Sequence, residues 1–218
     1  KLKTLARHDR AESVYLPYWT FDAHASSDYT GERGDNYQEW ETYFENGQQK
    51  RRSVTKTRWR YASGHVERMF DDVPVPATKS VLPKYLERLR WDFSGLVSYE
   101  PAYLSGHKAQ TYQVSLEEGF ERFKQIADGV IRGDVRRDIG GDHQRIHSLE
   151  TAFSNVTFKH LLVPVYAGAY RFNNKIYQVV INGRTGEVQG ERPYSWLKIT
   201  ALILFILFVI LVIVLIAR

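Results

Sequence analysis

Tyr37-Gln38-Glu39-Trp40-Glu41-Thr42-Tyr43-Phe44-Glu45-Asn46-Gly47-Gln48-Gln49-Lys50 is the stretch that decides the fold. Tyr37, Glu39, Glu41, Tyr43 and Glu45 alternate with Gln38, Trp40, Thr42 and Phe44. A period of two marks a strand, because successive side chains point to opposite faces. Asn46-Gly47 is the favoured two-residue hairpin turn, since both positions must take a positive φ. The spacing therefore predicts a hairpin whose second arm runs from about Gln48 to Tyr61, with a further strand over Val66 to Phe70. Upstream, Val14 to Ala23 is an aromatic-rich strand. Pro17 within it has no N–H to donate and is expected at a sheet edge or a bulge. Tyr29 to Arg33 carries a turn at Gly31 and Gly34. These segments read as an antiparallel meander.

The middle of the chain changes character. Pro74, Pro76 and Pro83 mark an irregular connection, Lys84 to Trp91 a short helix with Pro83 at its start, and Pro101 to Gly106 a loop. Ser115 with Glu118 three positions on forms a capping box. The helix it opens, near 116 to 139, repeats apolar residues at Phe120, Phe123, Ile126, Ala127, Val130 and Ile131. It ends near Gly140-Gly141. Strands resume after Gln144, with arms over Thr157 to Tyr170 and Lys175 to Ile181 turning at Asn173-Asn174. Asn182 to Gly186 turns again into Glu187 to Glu191. Leu16-Pro17-Tyr18-Trp19 and Val163-Pro164-Val165-Tyr166 share a pattern, which points to a duplicated β unit, about 14–75 and 144–195, flanking a helical insert.

From Ala201 to Ala217 every residue is apolar, and fifteen of the seventeen are Leu, Ile, Phe or Val. Such a run contributes roughly −5 to −9 kcal/mol toward bilayer insertion. Extended through Trp196 to Thr200, it reaches the core thickness of about 30 Å. A transmembrane helix is thus expected over 197–217, behind a soluble domain of 1–195. Tyr194, Trp196 and Lys198 would form its membrane interface. The chain begins without Met and stops at the far end of the apolar run, so the natural protein is expected to be longer. The orientation expected is single-pass in the cell's inner (plasma) membrane with the domain in the cytosol. Arg184, Arg192 and Lys198 on the near side agree, and Arg218 on the far side counts against it. The fold class expected is α+β: antiparallel β-hairpin sheets with a helical insert, plus the C-terminal transmembrane helix. With no cysteine among 218 residues, the chain has neither a disulfide framework nor a thiolate metal site.

Several phrases carry a resemblance: Tyr15 to Ala23, Phe70-Asp71-Asp72-Val73, Leu104-Ser105-Gly106, Asp138-Ile139-Gly140-Gly141-Asp142, Thr157-Phe158-Lys159-His160 and Asn182 to Pro193. The set resembles bacterial zinc-ribbon membrane proteins often labelled primosomal-protein-N′-like or TFIIB-type zinc-ribbon proteins. The resemblance implies an envelope-stress or membrane-organising role beside SPFH (flotillin-like) and phage-shock-type, ESCRT-III-like partners. It also implies a zinc ribbon in a preceding N-terminal segment. This chain lacks the ribbon's cysteines, so no cofactor is expected within it. The helicase label finds no Gly-x-x-x-x-Gly-Lys-Ser/Thr phosphate loop to support it.

Two clusters stand out as candidate sites. Arg52, Lys56, Arg58 and Arg60 share one face of the returning hairpin arm and could meet phosphates of lipid or nucleic acid, or a protein partner. The alternative is cross-strand pairing with Glu39, Glu41 and Glu45. Asp138, Asp142, His143 and His147 form a candidate functional loop, the alternative being a helix end running into a strand. No Gly-x-Ser-x-Gly or His-Glu-x-x-His motif is present, so an enzyme is not expected. The function expected is a membrane-anchored adaptor or scaffold that contacts the lipid bilayer and scaffold proteins. The alternative is a membrane-tethered, replication-associated nucleic-acid-binding protein.

Overall fold

The computed structural model describes residues 7–8, 12–81, 83–172, 174–192 and 196–216. Three very long strands dominate it: β2 (Glu12–Glu45), β3 (Gln48–Pro76) and β5 (His143–Phe172). β2 lies between the other two and pairs antiparallel with both. Two shorter strands, β6 (Lys175–Asn182) and β7 (Val188–Gly190), extend the sheet beyond β5. β1 (Arg7–His8) pairs with β5, and β4 (Lys108–Ala109) runs parallel to the start of β2. Among the described residues three α-helices accompany the sheet, α1 (Pro83–Leu86), α2 (Leu116–Ile139) and α3 (Trp196–Ile216), with one 3-10 turn at Pro101–Leu104.

The expected α+β class is corrected to a mostly antiparallel β protein, one continuous sheet with a single long helix packed on it. The physical reason is strand continuity. Gly31 and Gly34 do not turn the chain but let it run straight on. At Gly31 a Cβ would collide with the Arg145 carbonyl and lie 3.2 Å from Ile139, so only glycine lets β2, β5 and the end of α2 converge there. The segments 48–61 and 66–70 likewise belong to one unbroken β3.

Pro17 sits on the central strand, not at an edge. It falls where β3 gives out: Tyr18 pairs with Pro76, and the Ala77 N–H donates to the Pro17 carbonyl at 2.9 Å. The missing donor therefore costs no ladder bond. Pro164 repeats the device on β5, where Val165 pairs with Asn182, the last residue of β6, and the Gly183 N–H reaches the Pro164 carbonyl at 2.8 Å. The shared sequence pattern thus marks two places where a neighbouring strand ends.

The two faces of the sheet carry separate cores. On one, Trp19, Phe21, Ala23, Ala25 and Tyr29 of β2 meet a stripe on α2 made of Phe123, Ala127, Ile131, Val135 and Ile139. That stripe advances four residues at a time and differs from the expected face, because Ile126 and Val130 are exposed. Ala23 and Ala25 are small enough for the helix to lie close. Ser115 caps α2 as expected, its hydroxyl accepting from the Glu118 N–H at 3.2 Å. On the opposite face Leu16, Tyr18, Leu161, Val163 and Val165 are covered by Tyr85, Leu86 and Leu89.

Both β3 and β5 bulge opposite one point of β2. Two residues, Asp71 and Asp72, fill the β3 side of Asp22, and Asn155 and Val156 the β5 side of Ala23. Asp72 and Asn155 take φ values of 47° and 51°. The Asp22 carboxylate accepts from the Asp72 N–H at 2.6 Å and the Thr157 hydroxyl at 2.8 Å, stapling both bulges.

The expected transmembrane helix at 197–217 is also corrected. Among the described residues no helix is long and apolar enough to cross a membrane. Tyr194 lies outside the described residues, and the side chains of Trp196 and Lys198 are likewise not described.

Candidate functional site

β5 begins opposite Gly34, so residues 35–45 of β2 and their partners on β3 continue alone as a two-stranded ribbon. Eleven residues at about 3.3 Å each project it some 36 Å beyond the three-stranded sheet. The turn is Asn46-Gly47 with φ values of 52° and 75°, as the hairpin alternation predicts.

Directly opposed residues share a face, which sorts the ribbon's side chains. The first face holds the expected basic stripe together with its acids. Lys56 reaches Glu39 at 2.8 Å and Glu41 at 2.9 Å, Arg52 reaches Glu41 at 3.4 Å, and Arg60 reaches Asp35 at 3.0 Å. Lys50 pairs with Glu45 at 2.6 Å. Arg58 lies over the Tyr37 ring at 5.0 Å. Hydrogen bonding to Lys56 holds the Glu41 carboxyl below the usual range. Of the readings open in sequence, the structure realises cross-strand pairing, leaving few unpaired cations to meet phosphates.

The second face carries one charge, Arg51. Gln38, Ser53 and Thr55 form a ladder, with the Ser53 hydroxyl donating to Gln38 at 2.6 Å and Gln38 donating to Thr55 at 2.9 Å. Asn36 accepts from the Thr57 hydroxyl at 2.8 Å. Beyond the ladder stand Trp40 and Phe44, 70% and 75% exposed. Sequence reasoning did not single these two out. Their signal was the alternation itself, which sets both on the face opposite the acids.

The four residues of the expected functional loop do not converge. Asp138, at the end of α2, accepts a 2.5 Å hydrogen bond from Tyr29. Burial, and then that bond, push the Tyr29 hydroxyl up to about 12. Gly64 leaves the room for this pair, since a Cβ there would lie 2.7 Å from the Tyr29 oxygen. Asp142 accepts from the Asn36 N–H at 2.7 Å, tying the connection to the base of the ribbon. His143 opens β5 with its ring 6.3 Å from Trp59, and His147 lies 3.6 Å from Glu32. All four lie where α2 ends and β5 begins.

One carboxylate cluster among the described residues is close enough for a cation: Asp22, Asp71 and Asp72. The Lys159 ammonium already sits there, 2.6 Å from Asp72 and 3.6 Å from Asp22. Although burial opposes ionisation, the bonds from Asp72 and Thr157 and the nearby Lys159 charge hold the Asp22 carboxyl below its ordinary value.

A cleft of about 660 Å³ opens beside the start of β2, between the 96–112 segment and β5. Leu96, Val97, Tyr99, Tyr103 and Tyr112 line it with His160. The imidazole packs 4.7 Å from the Trp19 ring, and burial lowers its basicity. The lining contains this one imidazole and no carboxylate, an arrangement suited to holding an apolar group rather than exchanging protons with it.

No family model matches the chain, and no solved structure matches it. The chain is similar to an uncharacterized protein, YdjG, of Bacillus subtilis (strain 168), at 24% identity over 200 residues. The match covers 88% of this chain and 56% of that protein, so the chain spans little more than half of the relative's length. The zinc-ribbon and transmembrane descriptions implied by the resemblance conflict with this chain and are corrected. It has no cysteine to bind zinc, and its described residues include no helix able to cross a membrane.

Proposed function

We propose that this protein is a non-enzymatic adaptor whose projecting ribbon is a protein-contact arm. The observation that carries the reading is the weakly charged face of the ribbon, where Trp40 and Phe44 stand exposed on a two-stranded support. Aromatic side chains held in this way are the residues that most often anchor protein interfaces. Over residues 35–45 the ribbon pairs along one edge of each strand, so both outer edges offer backbone N–H and C=O groups for strand addition. The charged face, where Lys50, Arg52, Lys56 and Arg60 already have carboxylate partners, favours this reading over the nucleic-acid alternative, which needs unpaired cations to displace counterions.

The resemblance supplies the partner class, SPFH or ESCRT-III-like membrane-organising proteins, and a place of work at the inner membrane. The many exposed apolar side chains of α3, such as Leu204, Phe205 and Phe208, need a cover of protein or lipid, which fits a component of a larger assembly. In-cell photo-crosslinking from position 40 of the full-length protein tests the proposal. Recovery of an SPFH or ESCRT-III-like protein is expected. Recovery of nucleic acid or replication proteins in their place would favour the alternative and refute the adaptor reading.

A further inference from the structure

The ribbon's cations were conspicuous in sequence because they are contiguous, and most of them are paired with carboxylates. A second set is scattered in sequence and gathered by the fold. Lys84 of α1 and Arg88 in the turn that follows it line a cleft of about 710 Å³ together with Lys175 of β6 and Arg192 just past β7. Among the described residues none of the four has a carboxylate within ion-pair distance, although Glu191 belongs to the same lining. Two of them lie over tyrosine rings of the cleft, Lys84 over Tyr85 at 4.8 Å and Lys175 over Tyr177 at 5.7 Å. Ring faces favour cations without neutralising them.

The walls are fixed independently of any ligand. Asn182, fully buried, donates to the Arg90 carbonyl at 2.8 Å, and the Glu187 carboxylate accepts from the Arg90 N–H at 2.8 Å. These bonds latch the segment after α1 to the β6–β7 turn. Leu86 and Leu89 anchor the same segment in the second core. Across the cleft, the Tyr170 hydroxyl donates to the Glu191 carbonyl at 2.9 Å and holds the chain that carries Arg192. Four cations facing one carboxylate in a concave, pre-formed site repel one another unless an anion joins them. Two Arg forks and two Lys point charges suit the several oxygens of a phosphate group.

We infer that this cleft is a binding site for a phosphate-bearing anion, either a free phosphate compound or the headgroup of an anionic phospholipid. The site is separate from the ribbon and does not depend on the ribbon's role. The test uses the full chain in two arms, calorimetric titration with inorganic pyrophosphate and flotation with phosphatidylcholine vesicles with and without phosphatidylserine. Binding of pyrophosphate, weakened about tenfold or more by Lys84→Gln with Lys175→Gln, identifies a soluble source. An excess of flotation on anionic over neutral vesicles that the same variant abolishes, without pyrophosphate binding, identifies a headgroup. Arg52→Gln on the ribbon is the matched control and leaves both readouts unchanged. Arg88→Gln gives a second, independent variant if the double one melts early. Absence of anion binding in both arms, or binding that the cleft variants leave intact, overturns the inference.

Discussion

β2 and β3 live in two environments along one unbroken pairing. Between residues 19 and 31, β2 is sandwiched by β3, β5 and α2, and Phe21, Ala23 and Ala25 are almost wholly buried. Beyond Gly34 the same two strands carry on with no third strand and no helix, and Trp40 and Phe44 are among their most exposed side chains. The alternation of residue types is equally regular in both halves. What differs is what lies on top, and this separates stability from contact. The backed half contributes the core, and the ribbon is held by cross-strand pairs that are each weak.

The difference can be broken most forcefully in the backed half. Phe123→Ala removes a fully buried ring packed against Phe21, Phe70 and Phe153 and should destabilise the fold by about 3–5 kcal/mol in denaturant melts. A loss below about 1 kcal/mol would mean that α2 does not support the sheet. Gly31→Ala should cost about 1–3 kcal/mol, because the Arg145 backbone must move to admit the methyl group. The Asp22 staple gives a pH signature. Its carboxyl is held below the unfolded value, so its contribution is complete above about pH 4 and fades as pH falls through the folded-state value. Asp22→Asn should therefore lower stability at neutral pH and flatten the acid limb of the stability profile. Smallest of all, Glu41→Gln in the ribbon should leave the melting temperature unchanged at physiological salt, since exposed ion pairs are screened.

The parts of the fold legible in sequence were local. The Asn46-Gly47 turn, the Ser115 cap with Glu118 and the 182–186 turn each depend on a few adjacent residues with specific dihedral or hydrogen-bonding demands. The cross-strand partners of Arg52 and Lys56 were legible too, because a two-residue turn fixes the register. What sequence hid was set by distant neighbours. Gly31 and Gly34 looked like turn residues, and it is Arg145 and His143 on another strand that make them strand residues. Pro17 looked like an edge signal, and only the end of β3 at Pro76 shows why a central strand tolerates it. The exposure of Trp40 and Phe44 was hidden because nothing in the alternation says that β5 begins only at His143, opposite Gly34. The apolar C-terminal run suggested a spanning helix from composition alone. The cleft of Lys84, Arg88, Lys175 and Arg192 was out of reach, its members being separated by up to about a hundred residues.

The most direct measurement of the central claim pairs stability with contact in one variant, Trp40→Ser with Phe44→Ser in the full-length protein. Both side chains are exposed, so the melting curve should match that of the parent, while crosslinking to the membrane-scaffold partner from a neighbouring ribbon position should fall at least about tenfold. Unchanged crosslinking in a protein of unchanged stability would contradict the account, because the exposed face would then be a contact surface for nothing.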